Sequence, residues 1–148
     1  MNITWHIKPF NELTTIELFG IARLRIAVFV TEQKITKPEL DNQDLDSYHV
    51  FGTDEHGNVV GVARFFYEDG KLLIGRVAVD QNLRHEHLGS KMLLAIEDYV
   101  RANNLADTIY LHSQLYIKDF YLSLGYETVG EVFLEADIEH VMMAKKLK

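Results

Sequence analysis

The segment LRHEHLGSKML, residues 83–93, concentrates the side chains with the most chemistry in this chain. Arg84, His85, Glu86 and His87 stand in a row, followed by Leu88, Gly89 and Ser90. Imidazoles flanking a carboxylate can ligate a metal, but His85 and His87 are spaced i, i+2, which shares a face only on a strand. Zinc would need a further protein ligand from elsewhere, and Glu86 between two histidines does not make the HExxH pattern of helical zinc sites. The chain has no cysteine, so thiolate ligands, disulfides and a cysteine nucleophile are excluded. Anion binding is the second chemistry. A helix start exposes unpaired backbone N–H groups and the positive end of the helix dipole. Arg84 adds a cation, Gly89 permits close backbone approach, and Ser90 can donate to a phosphate or cap the helix. A plain solvated loop is the third reading.

Whether the segment binds an anion depends on the elements that carry it. Upstream, LLIGRVAVD reads as an apolar strand; downstream, Leu88, Met92, Leu93, Ile96, Tyr99 and Val100 recur on one helical face. The chain begins with NITWHIK, whose alternating Ile3, Trp5 and Ile7 predict a strand. A helix follows, with Ile16, Phe19, Leu24 and Val28 at helical spacing and Asn11 or Thr14 as its cap. Residues 34–47, with Pro38 and the acidic run ELDNQDLD, predict a loop holding at most one short helix. YHVFGTD, VVGVARFFYE and LLIGRVAVD are then joined by the turn signals EHGN and EDGK, an antiparallel meander. TIYLHS reads as a strand, LYIKDFYLSL as a short helix stopped by Gly125, and YETVGEVFLE with IEHVMMAKKL as a closing strand pair. The order β-α-β-β-β-α-β-α-β-β predicts an α/β (mixed-sheet α+β) fold in a single domain over residues 1–148.

Composition narrows the function classes. Hydrophobic residues at 47% and charged residues at 25% are those of a globular domain. A net charge of -7, from 15 basic and 22 acidic residues, argues against nucleic-acid binding, so a phosphate would have to be held locally by backbone donors. The N-terminal residues lack the basic-then-apolar pattern of a signal peptide, and no apolar run approaches membrane-spanning length. A cytoplasmic protein with no membrane partner is the expectation.

VAVDQNLRHEHLGSKML resembles the acetyl-CoA signature of the GNAT acyltransferases, Arg/Gln-x-x-Gly-x-Gly/Ala after a V-x-V strand. Arg84 takes the first position, Gly89 the last, and His87 stands at the middle glycine. A Cβ fits there if φ stays negative and the side chain points outward. LRIAVFVTEQ with PELDNQDLDSYHV, and DFYLSLGYETVGEVFLEADIEHVMM with its Phe-Tyr-x-x-x-Gly-Tyr element, resemble the ElaA-like/YjcF-like branch; Asp137 replaces a glycine common there.

The resemblance covers nearly the whole chain and implies the acyl-CoA N-acyltransferase fold with splayed central strands. It implies acetyl-CoA as co-substrate, no metal, a small-molecule amine acceptor attacked directly in a ternary complex, and allows a homodimer. Residues implied to bind the cofactor are Val77, Ala78, Val79, the run Arg84, His85, Glu86, His87, Leu88, Gly89 and Ser90, and Gln114, Phe120 and Tyr121. Val79 N–H is the candidate oxyanion donor and Tyr121 the acid for the departing thiolate. His140 leads the candidate bases, followed by His49 and His112; His112, beside the cofactor gap, also joins Arg25, Glu32 and Gln33 near the acceptor. Arg64 and Arg76 read as surface or interface ion-pair residues. Glu39, Asp41, Asp44 and Asp46 read as a solvated loop that could attract a cationic amine. A non-catalytic acyl-CoA-binding sensor and a histidine metalloprotein are the rival readings.

Overall fold

The computed structural model describes residues 2–148. Its main elements are β1 (Thr4–Pro9), α1 (Thr15–Arg25), β2 (Tyr48–Thr53), β3 (Val59–Glu68), β4 (Lys71–Val79), α2 (Leu88–Ala102), β5 (Thr108–Gln114), α3 (Lys118–Ser123), β6 (Glu127–Glu135) and β7 (Ile138–Lys146). This is the order expected from the sequence, in one seven-stranded mixed sheet arranged β1-β2-β3-β4-β5-β7-β6. The EDGK turn reverses the chain with Asp69 at φ 51° and Gly70 at φ 77°, the left-handed pair that a two-residue hairpin requires. β4 and β5 run parallel, joined through α2; every other neighbouring pair is antiparallel.

Strand alternation gives the sheet two apolar faces. Val50, Ala63, Phe65, Leu72 and Ile74 pack against Met92, Leu93, Ile96 and Val100 of α2. Phe51, Val62 and Ala78 point the other way, onto Ile21 and Leu24 of α1 and Val28 and Phe29 beyond it. Thr14 caps α1, its side chain accepting from Glu17 N–H while the Glu17 carboxylate takes the Thr14 N–H. The stripe expected on α1 is only half right. Leu24 and Val28 are buried, but Ile16 and Phe19 are 82% and 64% exposed. At 100° per residue they lie across the helix from the face set by Ile21, Leu24 and Val28. Gly20 makes the close contact instead, since a Cβ there would stand 2.6 Å from Val59 Cγ2. α1 continues as a π-helical turn, Ile26–Glu32.

The segment between this turn and β2, with a short 3-10 turn at Asn42–Asp46, is pinned by charge rather than solvated. Arg25 bonds Glu39 at 2.8 Å and Asp44 at 2.7 Å; Arg64 bonds Asp41 at 2.6 Å and Asp44 at 2.7 Å; Arg76 bonds Glu39 at 2.9 Å. Arg25, Asp44 and Arg64 are buried. This corrects two expectations. Arg64 is no surface residue, and Glu39, Asp41 and Asp44 are spent on arginines. The physical reason is that three guanidiniums converge from α1, β3 and β4, and each needs a carboxylate once water is excluded.

Candidate active site

β4 and β5 pair only at Leu72↔Ile109, Leu73↔Tyr110 and Ile74↔Leu111. Beyond Ile74, β4 bulges against β3: Arg64 faces Gly75 but Val62 faces Ala78, so β4 carries one extra residue. Arg76 absorbs the bulge in the left-handed region at φ 53°. β4 then parts from β5 and opens a cavity of about 900 Å³, lined by Gly75–Val79 on one side and Leu111–Gln114 on the other. Asp80 N–H bonds the Val60 carbonyl on the β3 side at 2.8 Å. Strand alternation therefore directs the Val79 N–H and C=O away from β3, toward the opening. The Val79 carbonyl accepts from Arg84 Nε there, at 3.3 Å.

The turn after β4 is a short 3-10 stretch, Gln81–Glu86, and His87 then begins α2. No side chain caps α2, so its first-turn N–H groups remain free where Gly89 and Ser90 line the cavity. Ser90 Oγ donates to the His87 carbonyl at 3.0 Å. Gly89 lies under the Phe120 ring, 3.3 Å from where a Cβ would sit. His87 departs from expectation: its φ is 58°, left-handed rather than negative. The turn needs this conformation to aim the helix start at the cavity, so the family's glycine is a backbone requirement that His87 meets under strain. His85 and Glu86 are exposed and Leu88 is buried in the core; none of the three lines the cavity, leaving only their backbone groups near it. Arg84 is held by Glu32, its Nη1 and Nη2 bonding the two carboxylate oxygens at 2.5 and 2.6 Å. This contact lowers the Glu32 pKa and raises that of Arg84. Gln114 donates to Gln33 at 3.3 Å across the cavity wall.

At the inner end stand Tyr121, His112 and His140. Tyr121 is 4% exposed, lines the cavity, and has no hydrogen-bond partner for its hydroxyl among the described residues. Burial, with a smaller contribution from Tyr116, pushes its pKa well up. His140 Nδ1 lies 2.7 Å from the Ile138 carbonyl oxygen. A carbonyl can only accept, so Nδ1 carries a proton, and the neutral tautomer this selects has its lone pair at Nε2. His112 Nδ1 lies 2.9 Å from Glu135 Oε1. That hydrogen bond raises the His112 pKa and lowers the Glu135 pKa.

Not every expected residue arrives. His49 is 1% exposed, outside the cavity, its Nε2 donating to the Asp44 carbonyl at 2.8 Å, and burial lowers its pKa. It belongs to the ion network, as does Arg25, which also stays out of the lining. Glu32 acts through Arg84 at the rim. Glu135 was missed. It precedes the two-residue turn Ala136–Asp137 and pairs with Ile138, and this register, the one local signal available, puts it near His140. Among the described residues, no group of three or more His, Cys, Asp or Glu is arranged to hold a metal ion.

Residues 21–147 match the family model described as an acetyltransferase (GNAT) domain. The chain is similar to protein ElaA of Escherichia coli, 32% identical over 150 residues, covering 98% of this chain and 97% of that one. The ElaA crystal structure superposes with a TM-score of 0.89 at 31% identity, over 98% of this chain and 100% of that chain. An acyl-CoA N-acyltransferase from Pseudomonas aeruginosa superposes at 0.88 with 30% identity, over 97% and 99%. An aminoglycoside 6'-N-acetyltransferase complexed with coenzyme A shares the fold at 0.72, with 19% identity and 97% of each chain covered. The chain belongs to the GNAT acetyltransferase family.

Proposed function

We propose that residues 1–148 form a single cytoplasmic acetyltransferase domain that moves an acetyl group from acetyl-CoA to the amine of a small-molecule acceptor. The observation that carries this reading is the continuity of one cavity. It runs from the uncapped start of α2, through the gap between β4 and β5, to Tyr121 and His140. The residues present fit such a co-substrate. Free N–H groups at Leu88, Gly89 and Ser90 suit a diphosphate, and the parted strands leave the Val77 backbone and the Val79 N–H on the cavity side, the Val79 carbonyl being bonded by Arg84. Acetyl-CoA supplies an activated thioester when bound.

The chain's own groups then divide the work. Val79 N–H faces the gap, where it can take up negative charge on a carbonyl oxygen. His140 Nε2 takes a proton from the acceptor's amino group, freeing the nitrogen's electron pair to form the C–N bond. Tyr121, kept protonated by burial, returns a proton to the thiolate as the C–S bond breaks. The decisive experiment incubates the purified chain with acetyl-CoA and a panel of primary amines and follows free thiol. Thiol release that requires both reactants is expected. Coenzyme A binding without release across the panel would leave the non-catalytic acyl-CoA sensor in its place.

A further inference from the structure

Glu135 belongs to no motif, yet it stands between the two cavity imidazoles. One carboxylate oxygen, Oε1, takes the Nδ1 proton of His112 at 2.9 Å, while Oε2 lies 3.6 Å from His140 Nε2. Nδ1 donates to the Ile138 carbonyl at 2.7 Å, so in the neutral ring Nε2 bears a lone pair and faces Oε2 as a second acceptor, at a separation too long for a direct hydrogen bond. Both residues line the cavity. Phe133 backs them, its ring centroid 6.0 Å from that of His140 and 5.1 Å from that of His112. Two facing acceptors repel unless one donor with two hydrogens spans them.

We propose that Glu135 is an acceptor-binding residue, its Oε2 forming with His140 Nε2 a cradle that receives the acceptor's amino group as an ammonium ion. This rests on the acetyltransferase reading above. An ammonium nitrogen at hydrogen-bond distance from both atoms, about 2.9 Å, gives one N–H to each. A hydroxyl, or a dimethylammonium with its single hydrogen, leaves one acceptor bare and loses a charge-assisted bond. The cradle also prepares the chemistry. Transfer of one proton to Nε2 breaks an N–H bond and leaves the electron pair on the amine nitrogen, ready to attack. As the C–N bond forms and the C–S bond breaks, Tyr121 protonates the thiolate and the nitrogen's second proton passes to the Tyr121 phenolate. The imidazolium formed then rests against the Glu135 carboxylate, which neutralises it.

The test uses the full chain, wild type and E135Q, with benzylamine and putrescine as probes and benzyl alcohol and N,N-dimethylbenzylamine as competitors. Calorimetry reads coenzyme A affinity and free thiol reads turnover. In E135Q the amide nitrogen can turn to donate to His140 Nε2 and fill the cradle. KM for the amine is then expected to rise roughly tenfold or more, with coenzyme A affinity unchanged. Both competitors are expected to inhibit roughly tenfold more weakly than benzylamine binds. An unchanged amine KM in E135Q, or competition by benzyl alcohol equal to that of benzylamine, overturns the proposal. Coenzyme A binding without thiol release from either amine overturns the acetyltransferase reading, and the cradle with it. A wild-type chain that fails to bind coenzyme A overturns the acetyltransferase reading itself, a different and separable result.

Discussion

At the scale of single residues, the cavity pairs a buried phenol with an imidazole whose Nδ1–H is fixed by a carbonyl. Tyr121 has its pKa pushed up by burial, so it stays protonated across the range in which histidines titrate. Since its hydroxyl bonds no described residue, Tyr121→Phe removes a proton donor without removing a structural contact. We expect kcat to fall by about 100-fold with coenzyme A affinity and thermal midpoint unchanged. Steady-state kinetics beside calorimetry would show this, and undiminished turnover would remove Tyr121 from the acid role. Reading single residues also misled. His49 and His140 both sit on strands and look alike in sequence, but one ring is sealed in a charged network and the other faces the cavity.

At the scale of elements, two irregularities shape the site. The bulge at Arg76 parts β4 from β5, and the left-handed turn at His87 aims α2. Both place a non-glycine residue at positive φ, which stores strain at a functional position. His87→Gly should therefore raise stability by about 1 kcal/mol and leave coenzyme A affinity equal or tighter. Urea unfolding and calorimetry test the two halves; weaker binding in this variant would mean that the imidazole itself contacts the ligand. The β6–β7 turn shows the same device, with Ala136 at φ 50° and Asp137 at φ 62°. That tight turn is what sets Glu135 opposite Ile138, two residues from His140.

At the scale of the whole molecule, the loop roofing the cavity is held to the sheet by three arginines and three carboxylates. Burial alone would raise the Asp44 pKa, but bonds from Arg25 and Arg64 outweigh it and bring the value below the usual carboxylate range. Asp41 is lowered too, chiefly by its bond to Arg64. A carboxylate depressed in the folded state contributes stability that is complete above its unfolded pKa, about 3.9, and is lost as pH falls through the folded value. Acid unfolding followed by circular dichroism should thus set in only below about pH 4. Asp44→Asn leaves two buried guanidiniums short of a partner and should cost about 3–5 kcal/mol near neutral pH. It should also flatten the acid limb. A loss below 1 kcal/mol would show that water replaces the carboxylate.

Much of this protein was legible in the residues alone, because the information is local. Alternation and helical spacing produced the ten elements in their order, glycine turns marked the hairpins, and the family resemblance pointed to Arg84, Gly89, Phe120 and Tyr121, all of which line the cavity. Periodicity does not say which side of an element meets the sheet, and so Ile16 and Phe19 were misplaced. It does not foresee a bulge either: the extra residue near Arg76 costs nothing in the local pattern but decides where two strands part. The order β5-β7-β6 brings Glu135, His112 and His140 together from three strands, and long-range pairing has no short-range signature. Burial separated His49 from His140 for the same reason. Whether a side chain meets water, a guanidinium or an open cavity depends on what the rest of the chain packs against it.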